Sequence, residues 1–250
     1  MRRFKVLPLL ALSLAAHAQI HLGSSESYTQ EQSQEYCKNL GASWRLMGID
    51  EIYALPKSTP FHEGFSYWSA DQAGSDSTEV GTGSEGDGGT IAMLGYSFYP
   101  KERNITLSPP TKRIAAICTN DVKAKRLRDY RITSSGIEDK ESGVLWHTLD
   151  ATDKRAKYAY SEAAEMCENL TLHGRLWRLP TVQELYGIVD ITHTRPSVDM
   201  KFFGAMMHRY YWSSDALNAH EGYVVGFKLG SVATVAKTEA AHVRCVSDLE

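Results

Sequence analysis

The sequence predicts an α+β protein made of two tandem modules, each with two short helices followed by a small antiparallel sheet. Three observations predict this. An ordered set of landmarks occurs twice, apolar residues around the early cysteine of each set follow a helical period, and the later part of each set turns to short alternating runs. The 250 residues are 42% hydrophobic and 23% charged, enough for one large or two small domains and unlike collagen-like, coiled-coil or strongly disordered chains. A formal net charge of -3 leaves no electrostatic footprint for nucleic acid.

The first element is an address. Arg2, Arg3 and Lys5 form a positive start, Val6 to Ala16 an apolar stretch, and Ala16-His17-Ala18 a small-x-small cleavage pattern. Residues 1–18 therefore read as a signal peptide, with the mature chain starting at Gln19. The apolar run is about half the roughly 20 residues that a spanning helix needs. No second long apolar run follows, so no integral membrane segment is expected after cleavage, and the destination is the periplasm or the cell exterior.

The landmarks divide the rest into a first module at 19–121, a basic linker at 122–131 and a second module at 132–250. Tyr36-Cys37-Lys38-Asn39-Leu40, Trp44-Arg45-Leu46 and Glu51-Ile52-Tyr53 correspond to Met166-Cys167-Glu168-Asn169-Leu170, Trp177-Arg178-Leu179 and Glu184-Leu185-Tyr186. Tyr67-Trp68-Ser69 corresponds to Tyr211-Trp212-Ser213, and each set closes on a β-like stretch ending at Cys118 or Cys245. Several landmarks in one order indicate a duplicated unit.

Within each unit the helices come first. Tyr160, Ala163, Ala164, Cys167 and Leu170 fall on one helical face, and Thr29 with Gln32 has capping-box spacing ahead of the matching segment. A second helix follows each Trp-Arg-Leu. In the second unit Pro180 and Thr181 introduce it, Glu184 completes a capping box, and Val182, Leu185, Ile188 and Val189 share its apolar face. Gly222 to Phe227 and Val232 to Val235 then read as a hairpin, and Val243 to Val246 as a final strand.

The units differ at two places. The second opens with Ile132-Thr133 and Glu138 to Trp146, readable as a hairpin, most of which the first lacks. The first carries a Gly-, Ser- and acid-rich insertion, Asp71 to Thr90, expected to be a spacer loop.

Four cysteines without a C-x-x-C pair, in an exported chain, predict two disulfides and no metal site. Of the three possible pairings the duplication selects Cys37 with Cys118 and Cys167 with Cys245, because a unit that folds by itself pairs its own cysteines. Each crosslink closes a long loop, which in the chain-entropy account contributes about 4 kcal/mol or less. Such a staple matters for units of this size with modest cores.

The second unit resembles a known family. Cys167-Glu168-Asn169-Leu170, Trp177-Arg178-Leu179-Pro180-Thr181, Glu184-Leu185, Tyr211-Trp212-Ser213-Ser214 and Val243-Arg244-Cys245-Val246 look like the bacterial DUF1566 module, the Lcl C-terminal domain. Asp139 to Trp146 is similar to its usual opening, with Glu141 and Ser142 replacing part of it. The first unit is a degenerate match in which Met47-Gly48 stands where the family has Pro-Thr. The resemblance implies two C-type-lectin-like modules, related to formylglycine-generating enzymes, in exported proteins of adhesion and envelope appendages. It also implies the same cysteine pairing.

The chemistry-bearing motifs are incomplete. Calcium-dependent sugar sites of lectins use Glu-Pro-Asn or Gln-Pro-Asp with Trp-Asn-Asp, and Trp212-Ser213-Ser214-Asp215 only echoes the last. His62-Glu63 and His220-Glu221 begin like a zinc-protease motif, but Ser66 and Val224 replace the second histidine. Trp44, Trp68, Trp177 and Trp212 read as core packing, and Arg45 and Arg178 as partners of backbone or carboxylate groups inside each unit. No catalytic residue, cofactor or metal is assigned, and no ligand-binding residue is named. The expected function is a non-catalytic envelope binding protein whose partner is a pilus or other appendage protein, an envelope protein or a polysaccharide. The alternative is an extracytoplasmic enzyme on a formylglycine-generating-enzyme-like scaffold.

Overall fold

The computed structural model describes residues 19–23, 26–73, 94–121, 129–148, 155–193 and 195–249. The expected signal peptide, residues 74–90 of the expected spacer and residues 122–128 of the expected linker lie outside them. The architecture is mixed α+β, with short helices and largely antiparallel sheets. In chain order the first half contains β1 (Ile20–Leu22), α1 (Gln30–Asn39), β2 (Arg45–Leu46), α2 (Ile49–Ala54), β3 (Tyr67–Gln72), β4 (Gly95–Tyr99), β5 (Asn104–Ser108) and β6 (Ala115–Thr119). The second contains β7 (Tyr130–Ile132), β8 (Ile137–Asp139), β9 (Val144–Trp146), α3 (Tyr160–Glu168), α4 (Val182–Gly187), α5 (Met200–Phe203), β10 (Tyr210–Ala216), β11 (Glu221–Gly226), β12 (Ser231–Ala236) and β13 (Val246–Asp248).

Local chemistry sets the helix starts. The Thr29 hydroxyl accepts from the Gln32 amide at 3.2 Å while the Gln32 side chain accepts from the Thr29 amide at 3.1 Å, completing the box that fixes α1. At α4 the Thr181 hydroxyl accepts from the Glu184 amide and Glu184 accepts from the Thr181 amide at 2.6 Å. Ala159 brings no oxygen to α3, so only the Glu162 half of that cap forms, from the Ala159 amide at 3.0 Å.

One large sheet runs in the order β1-β6-β3-β4-β5-β12-β11-β10, with β2 paired to β6. Its pairs are antiparallel except β3 with β6. The two halves join in this sheet through one register pair, Val232 opposite Ile105. A second sheet, β13-β9-β8-β7, belongs to the later half alone and contains the opening hairpin expected from residues 132–146. Disulfides link Cys37 to Cys118, 81 positions apart, and Cys167 to Cys245, 78 apart, each tying an early helix to the late chain of its own half.

Many bonds recur at matching places. The Trp68 indole donates to the Tyr28 carbonyl at 2.9 Å, and that of Trp212 to the Tyr158 carbonyl at 2.8 Å. Hairpins β4–β5 and β11–β12 both turn through four residues, Tyr99 pairing Asn104 and Gly226 pairing Ser231. The register breaks at the same place in both, between Trp68 and Gln72 against β4 and between Trp212 and Ala216 against β11.

Several expectations need correcting. The final strand does not run over Val243 to Val246. His242 bridges β10 and Val246 opens the ladder with β9, so residues 243–245 pass between two sheets and belong to neither. The spacer does not begin at Asp71, because Asp71 and Gln72 complete β3. Trp68, Trp177 and Trp212 are buried, but Trp44 is only partly buried, at the margin of the first-half cluster. The halves also do not keep separate cores. Two small clusters surround the disulfides, while the largest draws Ile49, Ile52, Tyr53 and Ile105 together with Leu185, Tyr186, Val225 and Val232.

Candidate functional site

Two rigid brackets frame the junction between the halves. Arg45 grips Glu51 with two parallel bonds of 2.8 and 2.6 Å, and Arg178 grips Glu184 with two of 2.9 Å. Each carboxylate also accepts the amide that starts the following helix, from Gly48 at 2.7 Å and from Thr181 at 2.6 Å. The next amide is held from the neighbouring strand: Ile49 donates to Asp71 and Val182 to Asp215, each at 2.6 Å. Bidentate charge-assisted bonds of this kind fix orientation as well as energy. Hydrogen bonding to Glu51 raises Arg45 above its ordinary pKa, against desolvation. Burial pushes Glu184 up, but Arg178 and the Thr181 amide outweigh it and leave the carboxyl below its ordinary range.

The later part of α2, at Tyr53, and the start of α4 stand on either side of a cleft of about 370 Å³. The first half contributes Tyr53, Lys57 and the β4–β5 turn with Lys101 and Arg103; the second contributes Gln183, Asp215 and Tyr223. Arg103 has φ 49, a left-handed conformation uncommon outside glycine, and Gly230 occupies the same place of the β11–β12 turn at φ 76. Its guanidinium donates to the Tyr53 carbonyl at 2.5 Å and stands 5.2 Å over the Tyr53 ring. The buried Tyr53 hydroxyl has no hydrogen-bond partner among the described residues. Burial pushes the phenols of Tyr53 and Tyr223 up, against the pull of Arg103, so both stay neutral donors at ordinary pH.

The matching position on the other side of the junction is closed. Tyr96, the counterpart of Tyr223, is buried and donates to the Leu229 carbonyl, while Phe227 and Leu229 fill the space that Pro100 and Glu102 leave open. A second recess of about 510 Å³ adjoins the open cleft through Lys57, Pro100 and Lys101, and carries Phe61, Phe65, His62 and Glu63.

The fold and the bracket geometry of the later half can be set beside known proteins. Residues 135–247 match the Lcl C-terminal domain. The match covers just under half of the chain and takes in the Arg178 to Glu184 bracket, Asp215 and Tyr223. No curated protein matches the chain.

The cysteines, tryptophans and arginines singled out in the sequence support the site and do not line it, whereas Thr181, Val182 and Asp215, noted there for other reasons, do. Cys167, Trp177, Arg178, Trp212 and Cys245 form the frame of the Lcl C-terminal domain segment, and Cys37, Trp44, Arg45, Cys118 and Trp68 stand at matching places of the first half. His62-Glu63 and His220-Glu221 lie apart, the first in the adjoining recess and the second at the start of β11. Among the described residues no group of three or more His, Cys, Asp or Glu is placed to hold a metal ion. Lys57, Lys101, Arg103 and Tyr223 escaped sequence reasoning as site residues, and Asp215 was met only as a partial echo of a calcium motif. One signal was available: aligning the two hairpin turns sets Arg103 against Gly230, where a left-handed residue is required.

Proposed function

We propose that this chain is an exported, non-catalytic binding protein of the bacterial envelope. It consists of two tandem C-type-lectin-like modules, the second at 132–250 and a degenerate first at 19–121, and it presents their junction to an appendage such as a pilus, to another envelope protein or to a polysaccharide. The paired brackets, tryptophan bonds and hairpin turns support the two-module part. The match to the Lcl C-terminal domain, the two disulfides and the lack, among the described residues, of a helix long and apolar enough to span a membrane agree with export.

One observation carries the binding part: an open cleft at the junction gathers charged and aromatic side chains from both halves. The four sulfurs are locked in disulfides and supply no thiolate. The test is a photocrosslinking side chain placed in the full chain, in its own cells, at Lys101 in the cleft and at Lys38 on α1. The expected result is one defined envelope or appendage component captured from position 101 and not from position 38. Identical capture from both positions, or none, overturns the proposal.

A further inference from the structure

We infer that the junction cleft and its neighbouring recess form a peptide-docking groove for a partner segment that carries an acidic side chain beside a bulky apolar one. The inference rests on the binding reading above and narrows it to one class of ligand. Charge comes first. In a chain of net charge -3 the cleft brings Lys57, Lys101 and Arg103 against the single carboxylate Asp215. Among the described residues these cations make one ion pair, Lys101 with Glu102, which at 4.0 Å is at the distance limit and leaves the lysine side chain 90% exposed. An exposed pair of that kind neutralises little. Glu63 and Glu102 line the neighbouring recess and not the cleft itself, so a carboxylate entering the cleft meets a locally positive field.

The backbone at Arg103 gives a second, independent reason. The position needs a left-handed residue, and in the matching turn glycine fills it without a steric cost. An arginine held there instead is a local strain, of the kind that concentrates at functional sites. Its guanidinium is fixed over Tyr53 and Phe98, at 5.2 and 5.6 Å from the ring centres. The cleft thus offers a fixed cation, whereas at its counterpart across the junction Tyr96, Phe227 and Leu229 are buried.

The neighbouring recess adds the apolar part of the ligand. Pro60, Phe61, Phe65 and Pro100 give it an apolar wall, and it opens into the cationic cleft along Lys57 and Lys101. A bulky apolar side chain packs on that wall, while Thr59, His62 and Ser66 on the rest of the lining offer partners to the backbone of an extended peptide. Asp215 also repels a ligand that carries a charge on every unit, such as a polyuronate. An extended peptide with one carboxylate and one apolar side chain fits both recesses.

The experiment titrates the full-length, disulfide-bonded protein with blocked fluorescent octapeptides that fix one Glu and one Leu at varied spacing, read by anisotropy. One spacing should bind, its Glu→Gln version should bind about tenfold or more weakly, and raised salt should weaken it further. Lys57→Glu, at the residue that lines both the cleft and the recess, should abolish binding. Arg103→Gly should do the same with both disulfides formed and the thermal midpoint retained, since glycine suits that turn. Three results overturn the inference: no peptide binding at any spacing, equal binding of the Gln peptide, or competition by an oligogalacturonate that binds more tightly. If these occur while photocrosslinking from position 101 still captures an envelope component, the groove assignment fails and the binding reading survives; if capture fails as well, both fall.

Discussion

At the scale of single residues, the tail between Ala241 and Val246 holds the least ordinary chemistry. Arg244 is fully buried, its guanidinium 5.0 Å from the Phe203 ring centre with Nε and Nη1 unpartnered among the described residues, and burial pushes its pKa down to about 10 against the pull of Tyr211. His242, two residues earlier, lies against Tyr211 at 5.2 Å. Burial pushes its pKa down, and Lys157 and Arg209 push the same way. A histidine held neutral in the fold binds its proton more readily when unfolded. Its contribution to stability is therefore present above the ordinary value of about 6.5 and is lost as pH falls through the lower folded value. Denaturation midpoints should drop between pH 7.5 and pH 5, and the His242→Gln variant should show a shallower drop over that range; parallel profiles would exclude this role. Neither residue announced itself in the sequence. Val243-Arg244-Cys245-Val246 reads as an ordinary strand, and only the passage of the chain from β10 to the β9 ladder buries its polar members.

At the scale of elements, the helix starts were legible because they are decided within a few residues. Thr29 with Gln32 and Thr181 with Glu184 carry their own hydrogen-bond geometry in their spacing. The brackets that lock α2 and α4 were half legible. The recurrence of Trp-Arg-Leu predicted a backbone or carboxylate partner for each arginine without naming it, and Asp71 and Asp215 come from distant strands that no local pattern foretold. The bracket at α4 yields a sharp expectation. Glu184→Gln keeps the size of the side chain and removes the charge that Arg178 and the Thr181 amide share, so it should cost about 1 to 2 kcal/mol at pH 7, towards the lower figure because Arg178 is partly exposed. Because the folded carboxyl sits below its ordinary range, that contribution is present above about pH 4.5 and disappears as pH falls through the folded value. Chemical denaturation of both proteins at pH 7 and at pH 3 checks it: the gap should close in acid, and a gap unchanged by pH would contradict the charge-based account.

At the scale of the whole molecule, like meets like. Tyr53 and Tyr186, which follow the bracket glutamates by two positions each, touch with ring centres 4.7 Å apart, and Ile105 pairs with Val232, each the second residue of its strand. On the two-module reading this is the geometry of an isologous interface, the arrangement by which two copies of one surface associate about a two-fold axis. None of it was readable from the chain, since periodicity places a residue on the buried face of its own element and is silent on which other element covers it. The halves share their largest cluster of buried side chains but only one register pair of sheet, so packing of Ile49, Tyr53, Leu185, Tyr186 and their neighbours holds the junction, with little help from the ladder. Both disulfides close within a half, so no sulfur crosses the junction. A specific protease site placed in 122–128 therefore severs the only covalent tie between the halves. After cleavage the two fragments should elute together in native buffer, with or without salt, because apolar contact is not screened. They should separate only in denaturant, and truncating Tyr53 or Tyr186 to Ala should lower the denaturant concentration at which they part, the two effects being non-additive because the rings touch. Separation of the cleaved wild-type fragments in native buffer would mean that the junction, and the cleft it forms, depends on the tether and not on the shared core.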